Sequence, residues 1–247
     1  VKSLSWQIKF GFFLLAISVA LFFLHYSLFH DARDIFFYLL HDIAFLPVDV
    51  LIVTLVIHRL LNQREKRAVL KKMNMVIGAF FSEVGNPMLR MFIPLDQNIE
   101  QIRPAFSIKP EWTPKEFQSA KKVVKRYESV ISVPEGGLSG IRALLIQKRN
   151  FLLLLLENPL LLEHESFTDL LWAFFHLMEE LENRPSVAQL PATDLKHIEG
   201  DIRRAYGAVL REWIAYMEHL KEAYPYLYSL AVRMDPFDPN ATPIVRS

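Results

Sequence analysis

Two long apolar stretches open the chain, and the pattern changes character behind them. Residues Phe10 to Leu24 carry no charge; Ile35 to Ile57 are nearly as apolar but include His41, Asp42 and Asp49. Roughly 20 apolar residues in a helix cover the hydrocarbon core of a bilayer, so the pattern predicts a two-helix transmembrane hairpin over residues 1–61. In the second stretch Ile35, Tyr38, Asp42, Phe45, Asp49, Ile52 and Val56 recur at alternating three- and four-residue spacing and form one helical stripe. Asp34 stands where an N-cap is expected. Pro47 lies between the two acids and predicts a bend or loosened hydrogen bonding.

No proline interrupts Leu61 to Val84, and Leu70, Met73, Ile77, Phe80 and Val84 make an amphipathic stripe. The second span is therefore expected to continue as a stalk over 62–92, with Gly85-Asn86-Pro87 as its stop signal. Unbroken from Asp34 to Val84, it would be about 75 Å long. Pro94, Pro104, Pro110 and Pro114 mark a connector of little regular structure. Thr113-Pro114 then opens a helix over Lys115 to Val130, and Pro134-Glu135-Gly136-Gly137 makes a turn. Ser139 is placed to cap a helix to about Glu157, whose Phe151 to Leu156 run is apolar all round and expects burial or a membrane surface. Asn158-Pro159 breaks it. Ser166 to Asp169 reads as the capping box of a helix to Glu182. Thr193 or Asp194 opens a long helix to about Ala223, and a short apolar helix to Met234 follows Tyr224-Pro225. Strand alternation and repeats are missing. The expected fold is all-α: the hairpin, the stalk, a cytoplasmic helical domain over 93–239 and a loose tail over 240–247.

Composition sharpens this picture. Hydrophobic residues make up 52% of the 247, which suits a membrane anchor joined to one ordinary domain. A net charge of +1 argues against a nucleic-acid partner. The chain has no cysteine, which excludes disulfides, thiolate metal sites and a cysteine nucleophile. The first apolar run continues through Tyr26, Leu28 and Phe29 with no small-x-small cleavage site at His30-Asp31, so a retained anchor is expected. Lys2 and Lys9, with Arg59, Arg64, Lys66, Arg67, Lys71 and Lys72, put both termini in the cytoplasm by the positive-inside rule. The same cluster would meet lipid headgroups.

Acids in a span are costly and are usually retained for pairing or function. Three readings of Asp42 and Asp49 are open: hydrogen-bonding glue between helices, a cation or proton path between copies of the chain, or hydration of Asp42 near the outer surface. His41 is placed to share a proton with an acid on a neighbouring helix. The first span has no basic residue at mid-depth, which favours contact between copies over an intrachain salt bridge.

Chemistry-bearing motifs are sparse. His176/Glu179 and Asp194/His197 have i, i+3 spacing, with Glu165, Glu218 and His219 nearby in the pool. Ferritin-like bundles use two Glu-x-x-His pairs for a di-iron site. Here only Asp194/His197 reads in that order, so a metal-binding bundle enzyme is the third-ranked reading. Gly136 to Gly140 lacks the residues of a phosphate loop, and Gly-x-Ser-x-Gly and His-Glu-x-x-His are absent. Trp172, Phe174, Phe175, Trp213 and Tyr216 read as core aromatics. Tyr224, Tyr226 and Tyr228 read as packing against the bundle, with an exposed docking surface as the alternative. No cofactor is implied.

Two segments carry a resemblance. One is Asp34-Ile-Phe-Phe-Tyr-Leu-Leu with Asp42-Ile-Ala-Phe-Leu, running on to Met75-Val-Ile-Gly-Ala-Phe-Phe-Ser-Glu-Val84. The other is His219-Leu-Lys-Glu-Ala-Tyr-Pro-Tyr-Leu-Tyr-Ser-Leu-Ala-Val-Arg233 with Pro236-Phe-Asp-Pro239. Together they resemble an uncharacterised family of prokaryotic two-pass membrane proteins with a C-terminal helical cytoplasmic domain. The resemblance implies that architecture and an inner-membrane address, and no site residues. The function expected first is a non-enzymatic, membrane-anchored module that forms homo-oligomers through its second helix and stalk and docks a cytoplasmic protein partner. A homo-oligomeric ion channel lined by the acids is the alternative.

Overall fold

The structure, a computed structural model, describes residues 2–162 and 164–245. It divides into one compact unit up to Lys66 and another from Arg67 onward. Helices account for the regular structure of both, and the described residues contain no strand beyond an isolated Asp96–Ile131 bridge.

The first unit holds α1 (Lys2–Phe29) and the first part of α2 (Ala32–Phe80). The turn between them is two residues long. His30 adopts a left-handed φ of 54° there, and its N–H donates to the Tyr26 carbonyl at 2.9 Å. Asp31, rather than Asp34, caps α2: its carboxylate accepts from the Arg33 N–H at 2.8 Å. Asp34 falls in the first helical turn instead, where its charge favours the dipole. Pro47 sits inside α2 without ending it. Ile8–Phe29 and Arg33–Leu61 are long and apolar enough to cross a membrane.

The second unit is a helical domain. Beyond α2 come α3 (Asn86–Phe92), α4 (Ile99–Phe106), α5 (Pro114–Arg126), α6 (Leu138–Gln147), α7 (Arg149–Leu156), the single turn α8 (Pro159–Leu162), α9 (Glu165–Glu182), α10 (Ala192–Ala223) and α11 (Pro225–Arg233). The 32-residue α10 is the spine. It packs on α9 most extensively and also on α3, α5 and α11. Its buried face includes Ile202, Tyr206, Val209, Trp213 and Met217 at helical spacing.

Gly85-Asn86-Pro87 does not stop the chain. Phe81–Gly85 forms a π-helical turn, and the backbone stays helical through Asn86 into α3, where Pro87 occupies a first-turn position that needs no N–H donor. Residues 62–92 are accordingly not a separate stalk in their second half. Met73, Ile77, Phe80, Phe81, Val84, Met88, Leu89 and Phe92 are all buried in the domain core. Phe80 meets Phe167 and Phe174 edge to face, with ring centroids 5.2 and 5.7 Å away. Asn86 accepts from the buried Trp213 indole N–H at 3.2 Å.

The proline-rich connector also carries more structure than expected. Pro94 lies in a 3₁₀ turn and Pro104 lies inside α4. Asp96 is 3% exposed and ties the segment down. Its carboxylate accepts from the Tyr127 hydroxyl and from the N–H groups of Asn98 and Val130, each of these two at 3.1 Å. The Thr113 start of α5 carries the capping box with Glu116, as the Thr-Pro signal indicated. The hydrogen bonds from Thr113 hold the Glu116 carboxyl below its ordinary range. The helix predicted from Ser139 to Glu157 is two, broken at Lys148, and Ser139 lies inside the first turn of α6. The apolar run in α7 is not buried all round, because Leu152 and Leu155 enter the core while Leu154 is 65% exposed.

Candidate functional site

Helices α9 and α10 are joined by a short loop and run antiparallel, so residues near the end of one face residues near the start of the other. Four titratable side chains meet across this seam. His176 and Glu180 are one turn apart on α9; His197 and Asp201 are one turn apart on α10. His176 Nε2 lies 3.5 Å from Asp201 Oδ1 and 3.9 Å from Glu180 Oε1. His197 Nε2 lies 3.5 Å from Asp201 Oδ2 and 3.7 Å from Glu180 Oε2. Each imidazole thus faces both carboxylates.

Two arginines frame the cluster. Arg184 grips Asp194 with two hydrogen bonds, at 2.9 and 2.6 Å, and reaches Glu180 Oε2 at 2.7 Å. This fork joins the C-terminal end of α9 to the N-terminal turn of α10. The hydrogen bond from Arg184 is the main cause that holds both Glu180 and Asp194 below the usual carboxylate range. Arg204 donates to Asp201 Oδ1 at 3.0 Å from a largely exposed position. Asp201 itself is buried, and its Oδ2 makes no hydrogen bond. Burying a carboxylate oxygen without a hydrogen bond is costly, and the group nearest this one is His197 Nε2 at 3.5 Å.

The contacts at this seam pair the two histidines with acids other than those the spacing suggested. Asp194 is committed to Arg184, and Glu179 is exposed on α9 outside the cluster. The partners are Glu180, four rather than three residues after His176, and Asp201, four residues after His197 on the side away from Asp194. Both i+3 and i+4 neighbours share a helix face, and only the packing of α9 on α10 selects between them.

The expected intramembrane residues all lie on α2. Tyr38, His41, Asp42, Pro47 and Asp49 are exposed, and neither Asp42 nor Asp49 has a hydrogen-bond or ion-pair partner among the described residues. His41 rests against Phe45, with ring centroids 5.3 Å apart. Arg59 is exposed on α2, whereas the side chains of Arg64, Lys66, Arg67, Lys71 and Lys72 lie outside the described residues.

Within the second unit a groove of about 700 Å³ runs between the end of α2, α3 and the α10–α11 corner. Met75, Gly78, Arg90, Tyr216, His219 and Leu227 are among its walls. Asn74 Nδ2 lies 3.1 Å from His219 Nδ1, and burial pushes the His219 pKa down. Of the three tyrosines at this corner, Tyr228 is buried and donates to the Lys109 carbonyl at 2.7 Å, whereas Tyr226 is 72% exposed. Trp172 is not a core aromatic: it is 58% exposed on the outer side of α9.

These features define an all-helical protein in two parts, an N-terminal pair of apolar helices and a C-terminal helical domain. The chain belongs to the MJ1433 family. Residues 1–61 match "MJ1433, N-terminal helical domain", and residues 69–233 match "Uncharacterized protein MJ1433, C-terminal helical domain". It is similar to the "Uncharacterized protein MJ1433" of Methanocaldococcus jannaschii, with 42% identity over 225 residues that cover 91% of this chain and 90% of the relative. No solved structure matches the chain.

Proposed function

We propose that this protein is a two-pass membrane-anchored helical module, with both termini on the cytoplasmic side of a prokaryotic plasma membrane and its C-terminal domain held at that surface for a protein partner. The observation that carries the reading is the contrast in burial between the two units. In α1 and the first part of α2, Phe12, Leu15, Phe23, Phe36, Leu40, Leu51 and Leu55 are each more than half exposed. In the second unit the core aromatics Phe80, Phe92, Phe106, Phe174 and Tyr206 are fully buried. A continuous apolar surface of this extent is not stable in water, and hydrocarbon removes that cost. The helical backbone satisfies its own N–H and C=O groups, as a lipid-exposed segment must.

Asp42 and Asp49 then call for polar partners at membrane depth, and a second copy of the chain is the source the reading favours. The module is a homo-oligomer through the α2 stripe. Two measurements test this. The anchor predicts that the full chain stays with the membrane after alkaline carbonate washing; release into the supernatant overturns it. The oligomer predicts a mass in nanodiscs of two or more copies that falls when Asp42 and Asp49 are both replaced by leucine; a monomer overturns it. Four or more copies with ion flux sensitive to Asp42→Asn and Asp49→Asn would favour a channel instead.

A further inference from the structure

The seam between α9 and α10 has the donors, spacing and burial of a divalent-metal site, which goes beyond the anchoring role. We propose that His176, Glu180, His197 and Asp201 bind one transition-metal ion of the Zn²⁺ type. The donor set is two imidazole nitrogens and two carboxylate oxygens, a mixture that suits borderline divalent ions better than Ca²⁺ or Mg²⁺, which prefer oxygen alone.

Geometry carries the assignment. A tetrahedral ion with bonds of about 2.0–2.1 Å sets its ligand atoms about 3.3–3.4 Å apart. Across the seam His176 Nε2 is 3.5 Å from Asp201 Oδ1 and His197 Nε2 is 3.7 Å from Glu180 Oε2; within α10 His197 Nε2 is 3.5 Å from Asp201 Oδ2, and within α9 His176 Nε2 is 3.9 Å from Glu180 Oε1. His176, Glu180 and Asp201 each offer a ligand atom within 4.8 Å of the other two. The two imidazoles meet different oxygens of each carboxylate, so His197 joins this trio as the fourth ligand by side-chain rotation, which its half-exposed ring allows. Asp201 gives the independent sign. Its side chain is 4% exposed, and its Oδ2, facing His197, has no hydrogen bond.

The arginines do not fill the site. Arg204 takes Oδ1 of Asp201 from a side chain that is 63% exposed, so it can leave for solvent at little cost. Arg184 takes Oε2 of Glu180, leaving Oε1 open, and its charge is already matched by Asp194. The two histidine side chains are 44% and 55% exposed. An ion therefore has an entry path, and water has room at its outer side.

The test uses the full chain in detergent, stripped with chelator, and titrated with Zn²⁺ by calorimetry and with Co²⁺ by visible absorption. One equivalent of Zn²⁺ and a tetrahedral Co²⁺ spectrum are expected. His176→Ala, His197→Ala and Asp201→Asn should each weaken Zn²⁺ binding at least tenfold and abolish the spectrum, while Glu179→Gln and His219→Ala leave both unchanged. His197 is exposed enough that its removal leaves the helices intact, which circular dichroism checks. Absence of stoichiometric Zn²⁺ binding, or binding that survives His176→Ala and His197→Ala, overturns the assignment.

Discussion

Replacing Gly85 with alanine adds one methyl group where the π-helical turn passes into α3. The backbone there is helical, with φ −61° and ψ −53°, so alanine is favoured by propensity, by about 1 kcal/mol. Packing opposes it. The new Cβ would stand 2.5 Å from Phe81 Cδ1 and 3.0 Å from Phe80 Cε1, where ordinary carbon contacts are about 3.5–4.0 Å. Both rings are fully buried, and Phe80 is braced by Phe167 and Phe174. Overpacking of this kind costs about 1–3 kcal/mol, and an overlap near 1 Å belongs at the upper end. The net expectation is a loss of about 1–2 kcal/mol, or roughly 2–8 °C in the unfolding midpoint of a domain this size. Gly200→Ala is the matched control. Gly200 lies inside α10, and a Cβ there meets nothing within 4 Å, so the same substitution should raise the midpoint by roughly 1–4 °C. Thermal melts of the full chain in detergent, followed by tryptophan fluorescence, read both. Equal stability of Gly85→Ala and the parent would refute the packing described around the π turn.

Three further outcomes follow from individual side chains. Asp235 is buried, and that burial pushes its pKa up to about 7. A raised folded-state pKa means that stability is fully present below the unfolded value near 4 and declines as pH rises through about 7. Urea unfolding should therefore show Asp235→Asn, which keeps an acceptor for the Phe237 N–H, gaining on the parent at pH 8 and not at pH 4; a gain equal at both pH values would contradict this. Asp96→Ala should cost about 2–4 kcal/mol in the same assay, because the Tyr127 hydroxyl and two backbone N–H groups lose their acceptor; a cost below about 1 kcal/mol would show that water replaces it. Arg184→Met should lower the thermal midpoint by releasing both Glu180 and Asp194, and an unchanged midpoint would mean the fork between α9 and α10 contributes nothing.

The legible parts of this chain were those set by local rules. The apolar lengths of α1 and α2, the Thr113-Pro114 start of α5, the break before Pro159 and the extent of α10 each follow from hydropathy, capping or a missing N–H, within a residue or two. Three readings failed because tertiary contacts override local signals. Gly85-Asn86-Pro87 looks like a stop, yet glycine is there to let the Phe80 and Phe81 rings pack, and Pro87 sits at a helix start. The capping box at Ser166 gives way to a start one residue earlier, where the His164 ring nitrogen accepts from the N–H of the buried Phe167 at 3.2 Å. Pro94 and Pro104 read as a connector of little regular structure, but Asp96 supplies the acceptors that order the segment. The α9–α10 cluster was half visible: His176 and His197 stood out, while Glu180 and Asp201 needed the antiparallel register of two helices. A search for His-x-x-x-acid pairs on adjacent helices would have found both.

The absence of cysteine allows the membrane topology to be tested by site-specific labelling. Arg33→Cys places a thiol at the start of α2, beyond the turn at His30, and Ser119→Cys places one on the exposed face of α5. Intact spheroplasts are treated with a membrane-impermeant maleimide, before and after permeabilisation. A two-pass anchor with a cytoplasmic domain predicts labelling of Arg33→Cys in intact cells and of Ser119→Cys only after permeabilisation. Equal protection of both until the membrane is opened, or labelling of Ser119→Cys from outside, would contradict a two-pass anchor with a cytoplasmic domain.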